Sequence, residues 1–331
     1  MTSIKKHISL AAVIVMLCTL FACLFIPARA FAVDTIDTDK DVTLCVNFND
    51  EGKAIYDAPF KLYYVASVDK NAHFTLAGSF ANYPVELNDL DSSGWADAAL
   101  TLSGYAQQDS ITAIDSGLTN KQGNLNFPNN VNSLKPGLYL LVGTPVKNGN
   151  ITYTPQDGLV CLPSLNEETQ KWNYDTTVSP KYDLDESSPY EGKIKLSAIK
   201  IWKSDNKQTR PTSVSVNLLR NGKVYKTATL NKSNNWKYTW KNLPIYDSNK
   251  NVITWKVTED VPGGYSVSVS QEDETFYITN KGSNGGGGDD GDTDKRLPQT
   301  GTYWWIVPIL LCAGLIFLLF GIMIKRKNRS E

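Results

Sequence analysis

The chain has 331 residues, with 33 Lys and Arg against 34 Asp and Glu and a net charge of −1. Without a basic cluster outside its two ends, it lacks the electrostatic footprint of a nucleic-acid binder. Its two histidines and five cysteines show no metal-ligand spacing, so no metal or cofactor is implied and hydrolase chemistry has no nucleophile–base pair to use.

Lys5 and Lys6 precede an apolar run from Ile8 to Ile26, followed by Pro27 and "ARAFAVD". A charged start, an apolar middle and a small-x-small exit predict a secretory signal peptide over 1–32, with Ala30-Phe31-Ala32 as the cleavage site. The apolar run continues past Cys23, which argues against a lipoprotein site there. The remainder is expected outside the cell.

Residues 33–182 read as a first domain. The stretches "VTLCVNF", "FKLYYVA", "GLYLLVG" and "WNYDTTV" alternate β-branched and aromatic residues with polar ones, as strands of an antiparallel sandwich do. One helix is predicted at "SSGWADAALTLSGYAQQ", capped by Ser92 or Ser93, with Trp95, Ala99, Leu102 and Ala106 on one face to cover the sandwich. His73, the lone histidine of the exported part, reads as a surface residue. Cys45 and Cys161 are the two cysteines left after the signal and the C-terminal apolar span are set aside. Outside the cell they are either a disulfide or two separate thiols in strand cores.

A Pro-, Ser- and acid-rich break, "SPKYDLDESSPYEGK", contains a linker at 183–192. Residues 193–281 read as a second β-domain, with strands at "SVSVNLL", "VITWKVT" and "FYITN". The Gly- and Asp-rich stretch 282–296 is a flexible tether. Its Asp290, Asp292 and Asp294 lack the glycine and glutamate that complete an EF-hand calcium loop. Residues 297–331 comprise "LPQTG", an uncharged span from Trp304 to Ile324 of membrane-crossing length, and Lys325, Arg326, Lys327 and Arg329, which place the C-terminus in the cytoplasm.

Leu297, Pro298, Gln299, Thr300 and Gly301, set before a span and a basic tail, resemble the LPXTG sorting signal of Gram-positive surface proteins. The resemblance implies a sortase that cuts between Thr300 and Gly301 and joins Thr300 to cell-wall peptidoglycan or to another subunit. Membrane anchoring by 304–324 is then transient. The second domain, with "KLSAIKIW", "RPTSVSVNLLRNGK", "ITWKVTEDVPGGY" and "FYITN", resembles the B-type repeats of collagen adhesins and pilins. That resemblance implies an intramolecular isopeptide bond between Lys200 and Asn280, assisted by Glu259. The chemistry requires these residue types: burial among Trp202, Trp240 and Trp255 would keep the lysine amine neutral and nucleophilic, and the glutamate protonated and able to shuttle protons.

The first domain resembles a diverged cousin through "EGKAIYDAPFKLYYV" and "LKPGLYLLVG". The corresponding lysine and glutamate positions fall near Asn47 and Gly143, where neither type is present, so a Cys45–Cys161 disulfide could take over the crosslinking role. "TTVSPKYD" is similar to half of the pilin motif whose lysine accepts the sortase-bound partner. Lys181 is therefore either that acceptor or a solvated linker lysine. Together these features predict an all-β protein of two tandem immunoglobulin-like or prealbumin-like sandwiches. The expected function is that of a non-enzymatic pilin or fimbrial subunit whose partners are sortase, peptidoglycan and other pilin subunits. The alternative is a monomeric wall-anchored adhesin that binds a host surface ligand through its first domain.

Overall fold

The computed structural model describes residues 34–186 and 192–283. The signal peptide, most of the tether, the sorting motif and the apolar span lie outside the described residues, among which no helix is long and apolar enough to cross a membrane.

In the first domain a large sheet runs in the order Gly158–Leu162, Gly137–Gly143, Pro59–Val68, Phe74–Leu76, with Asp115–Leu118 also pairing with Pro59–Val68. A three-stranded sheet faces it, with Thr43–Asn47 between Asp175–Val178 and Asn124–Phe127. Leu44, Val46, Phe60, Leu62, Phe127, Leu141, Val160 and Leu162 close the space between the sheets. The large sheet is buried on its other side too, which explains why "GLYLLVG" is a nearly unbroken apolar run rather than an alternating one. There, Tyr63, Val65, Leu138, Leu140 and Cys161 meet Trp95, Ala98, Ala99, Leu102 and Ala106 of helix α1 (Ser92–Gln108).

The helix has the predicted bounds but a different cap. Asp91 precedes it in extended conformation, and its carboxylate accepts from Gly94 N at 2.7 Å and from Ser93 Oγ at 2.8 Å. A charged acceptor at the positive end of the helix outcompetes the serine hydroxyls. The expected linker also begins later than predicted, because Tyr182–Glu186 forms a strand on Ile151–Pro155. The tyrosine hydroxyls of Tyr153 and Tyr182 both donate to Asp50, at 2.9 and 2.7 Å, and tie that strand to the body of the domain.

The second domain has seven strands: β1 (Lys193–Lys203), β2 (Ser213–Arg220), β3 (Lys223–Asn231), β4 (Lys237–Pro244), β5 (Trp255–Asp260), β6 (Tyr265–Glu272) and β7 (Thr275–Gly282). One sheet has the order β4-β1-β7-β6 and the other β3-β2-β5. The sandwich is not wholly antiparallel. Its first and last strands, β1 and β7, pair in parallel, as do Thr43–Asn47 and Asp175–Val178 in the first domain. A parallel neighbour cannot be reached by a hairpin, so this pairing leaves no local turn signal in the sequence.

The expected disulfide is not formed, and Cys45 and Cys161 are both free. Side chains alternate across a strand, so Leu44 and Val46 enter the core between the sheets while Cys45 faces away from it. On the partner sheet Val160 and Leu162 enter that core, and Cys161 points to the helix side. The two thiols thus lie on the far faces of two stacked sheets, which pack about 10 Å apart. That is beyond the reach of a disulfide. Burial pushes the Cys161 thiol up to about 12, so it is an inert core residue.

Candidate crosslinking site

The register of β1 on β7 brings the site together. Lys200 lies opposite Ile278, so Asn280, two residues on, shares the inward face. Glu259 reaches in from β5 of the facing sheet, where it pairs with Val216. The side chains of Lys200 and Glu259 are completely buried, and Asn280 is equally inaccessible.

Lys200 Nζ lies 3.3 Å from Glu259 Oε2 and donates to the carbonyls of Ile278 at 3.0 Å and Ile201 at 3.2 Å. Asn280 Nδ2 donates to Glu259 Oε1 at 2.5 Å. Among the described residues Asn280 Oδ1 is buried without a hydrogen-bond partner, and Glu259 Oε2 has only the 3.3 Å ion-pair contact with Lys200. Native cores rarely leave a buried amide oxygen unpaired, and where they do the site is often reactive or strained.

The electrostatics follow from burial. Desolvation lowers the Lys200 amine to about 8, partly opposed by the neighbouring Glu259. It also raises the Glu259 carboxyl, again against the pull of Lys200. Each group is moved towards its neutral form. Trp202 caps the lysine, with Nζ 4.6 Å from the ring centroid, and Arg210 stacks over that indole while forming a bidentate pair with Asp205. Trp240 is in the surrounding core. Trp255, expected in the same box, instead sits against Tyr225 and donates to the Pro244 carbonyl.

Among the described residues the first domain has no counterpart of this trio. Asn47 faces away from the core and bonds to Asn124 and Asn49. The inward neighbours Val46 and Phe48 are apolar. Gly143 lies where an added Cβ would run into Pro155 and Phe60. Lys181 is exposed, beside Tyr182, whose ring is held by Asp50 and Phe48. His73 is exposed and 3.2 Å from Asp69.

Residues 196–281 match the family model of the Cna protein B-type domain. The chain is also 41% identical over 88 residues to a collagen adhesin of Staphylococcus aureus, a match covering 26% of this chain and 7% of that protein. Residues 196–281 are therefore similar to a Cna protein B-type domain, and the chain spans only a small part of the collagen adhesin's length.

Among solved structures, a single B repeat unit of the S. aureus collagen-binding surface protein aligns at 20% identity and TM-score 0.26, over 74% of this chain and 98% of that one. The major pilin SpaD of Corynebacterium diphtheriae aligns at 11% identity and TM-score 0.28, over 75% and 99%. The shaft pilin spaA of Lactobacillus rhamnosus GG aligns at 12% and 0.25, over 74% and 98%. At those identities and TM-scores the structural likenesses carry no functional argument.

Proposed function

We propose that this chain is a sortase-anchored structural protein of the Gram-positive cell surface, a pilin or fimbrial subunit of minor or basal type. Its second domain is locked by a Lys200–Asn280 isopeptide bond that it forms itself. The observation that carries this reading is the buried Lys200–Glu259–Asn280 trio, with both titratable groups biased towards neutrality.

The geometry supports the following reaction. Turning the Asn280 carboxamide over exchanges Oδ1 and Nδ2 without moving the backbone. Protonated Glu259 Oε1 then donates to Oδ1, a 2.5 Å contact suited to an O–H donor, and polarises the carbonyl. Neutral Lys200 Nζ attacks the Asn280 Cγ, forming the new C–N bond. Glu259 Oε2 accepts the amine proton, and a proton passes through the carboxyl to the departing Nδ2. The Cγ–Nδ2 bond breaks and ammonia leaves. Folding supplies the proximity that an enzyme would otherwise provide.

Sortase, peptidoglycan and other pilin subunits are the partners under this reading. Thr300 is the joining residue, and the exposed Lys181 is an available acceptor amine. The alternative is a monomeric wall-anchored adhesin that binds a host surface ligand through its first domain, a reading prompted by the 41% identity over 88 residues to a collagen adhesin. Wall extracts boiled in detergent separate the two: a pilin gives a ladder of polymers that Lys181→Ala or Thr300→Ala abolishes, and an adhesin gives one band. A tryptic digest of the purified protein should contain a branched peptide joining Lys200 to Asn280; linear peptides alone would refute the crosslink.

A further inference from the structure

The second domain is not closed by its own strands alone. β5 and β6 are the edge strands on the same side of the two sheets, and unpaired strand edges must be covered or satisfied. Here α1 of the first domain lies along both.

On β6, Val269 N donates to Thr101 Oγ1 at 2.8 Å, and Val267 N donates to the Pro84 carbonyl at 2.7 Å. On β5 the contacts run through four consecutive residues. Lys256 Nζ donates to Ser103 Oγ at 2.9 Å and pairs with Asp157. Gly104 lies so close to Val257 and Thr258 that an added Cβ would be 3.3 Å from the Val257 carbonyl and 3.2 Å from the Thr258 methyl. Thr258 bonds to Gln108. Tyr105, itself buried, donates its hydroxyl to the backbone carbonyl of Glu259 at 2.8 Å.

The last contact reaches the residue that must stand between Lys200 and Asn280. From it we propose that Tyr105 is a positioning residue for the crosslinking reaction: the first domain fixes the Glu259 backbone and seals the seam beside it, so that efficient bond formation in the second domain depends on the docked helix. This inference rests on the crosslink proposed above. A hydrogen bond to the Glu259 carbonyl sets the depth and direction of its side chain, and small misplacements of a proton-transfer group cost rate steeply. Gly104 allows the close approach; an added methyl there would crowd the Val257 carbonyl and press on the backbone that carries Glu259.

The test uses the two domains together, residues 34–283, made by cell-free synthesis, quenched into acid at intervals and followed by intact mass for the loss of one ammonia. Tyr105→Phe removes the hydroxyl alone and should slow the loss about five- to tenfold, as expected for one buried hydrogen bond acting on the reacting geometry. Gly104→Ala should slow it in the same direction. Thr101→Val is the structural control, because it removes the matching bond to β6 and lowers thermal stability without touching β5. It should leave the rate within about twofold. Wild-type rates for both Tyr105→Phe and Gly104→Ala, or equal slowing by Thr101→Val, would overturn the positioning role while the crosslink itself stands. A wild-type protein that never loses ammonia would overturn both.

Discussion

Replacing Glu259 by Gln preserves the volume between Lys200 and Asn280 but removes the transferable proton, so the chain should fold without the crosslink. The bond would close a loop of about 80 residues, for which the chain-entropy relation gives about 4.5 kcal/mol. The unreacted Lys200 amine, which burial pushes towards its neutral form, opposes folding further and acts in the same direction. For a folded unit of this size each kcal/mol is about 2–4 °C in Tm, so the variant should melt on the order of 10–20 °C lower. Calorimetry of residues 34–283, paired with intact mass on the same samples, checks both parts. A variant with the full uncrosslinked mass that melts within about 3 °C of the wild type would refute the stabilising role. A variant that still loses ammonia would refute the role of Glu259.

Three further outcomes are expected. Asp97 on α1 faces Ser268, and burial pushes its carboxyl up to about 6, with Ser268 opposing and Asp91 adding to the shift. Because the folded pKa is raised, the cost of its charge is absent below the unfolded value of 3.8 and complete above about 6. Asp97→Asn should therefore stabilise by about 1 kcal/mol at pH 8, after discounting for partial exposure, and by nothing at pH 4; an equal gain at both would contradict this. Thiol labelling of the native protein should modify half-buried Cys45 and spare Cys161 until denaturant is added, whereas an unreduced, denatured protein with no free thiol would restore the disulfide. Thr300→Ala should release the protein from detergent-resistant wall material into the membrane or medium, and unchanged wall attachment would count against the sorting signal.

Much of this architecture was legible because it is local. The strand alternation and the bounds of α1 follow from side-chain periodicity, whereas Lys200, Glu259 and Asn280, on strands far apart in sequence, were picked out through the resemblance to the B-type repeats. What was hidden depends on which face a residue takes and on what lies far away in sequence. Cys45 and Cys161 satisfied every compositional condition for a disulfide, yet a one-residue parity in each strand turns them away from each other. Ser92 and Ser93 are good caps, but Asp91, one residue earlier, carries the charge.

The helix shows the limit most clearly. Its apolar stripe announced the face that covers the large sheet. Apart from Tyr105, the residues that reach the second domain, among them Asp97, Thr101, Ser103, Gly104 and Gln108, are small or polar and lie outside that stripe. Only the partner strands reveal that face as an interface. Trp255 illustrates the same point in reverse, since an aromatic four residues before Glu259 packs on Tyr225 rather than over the lysine.

The most direct test of the central claim is the intact mass of the folded wild-type protein. Residues 34–283, purified without reductant and measured after denaturation, should be lighter than the sequence mass by one ammonia. Lys200→Ala and Asn280→Ala should each return to their full sequence mass. A wild-type mass equal to that of the unmodified sequence would contradict the account, because the buried trio would then be an ordinary ion pair beside an amide.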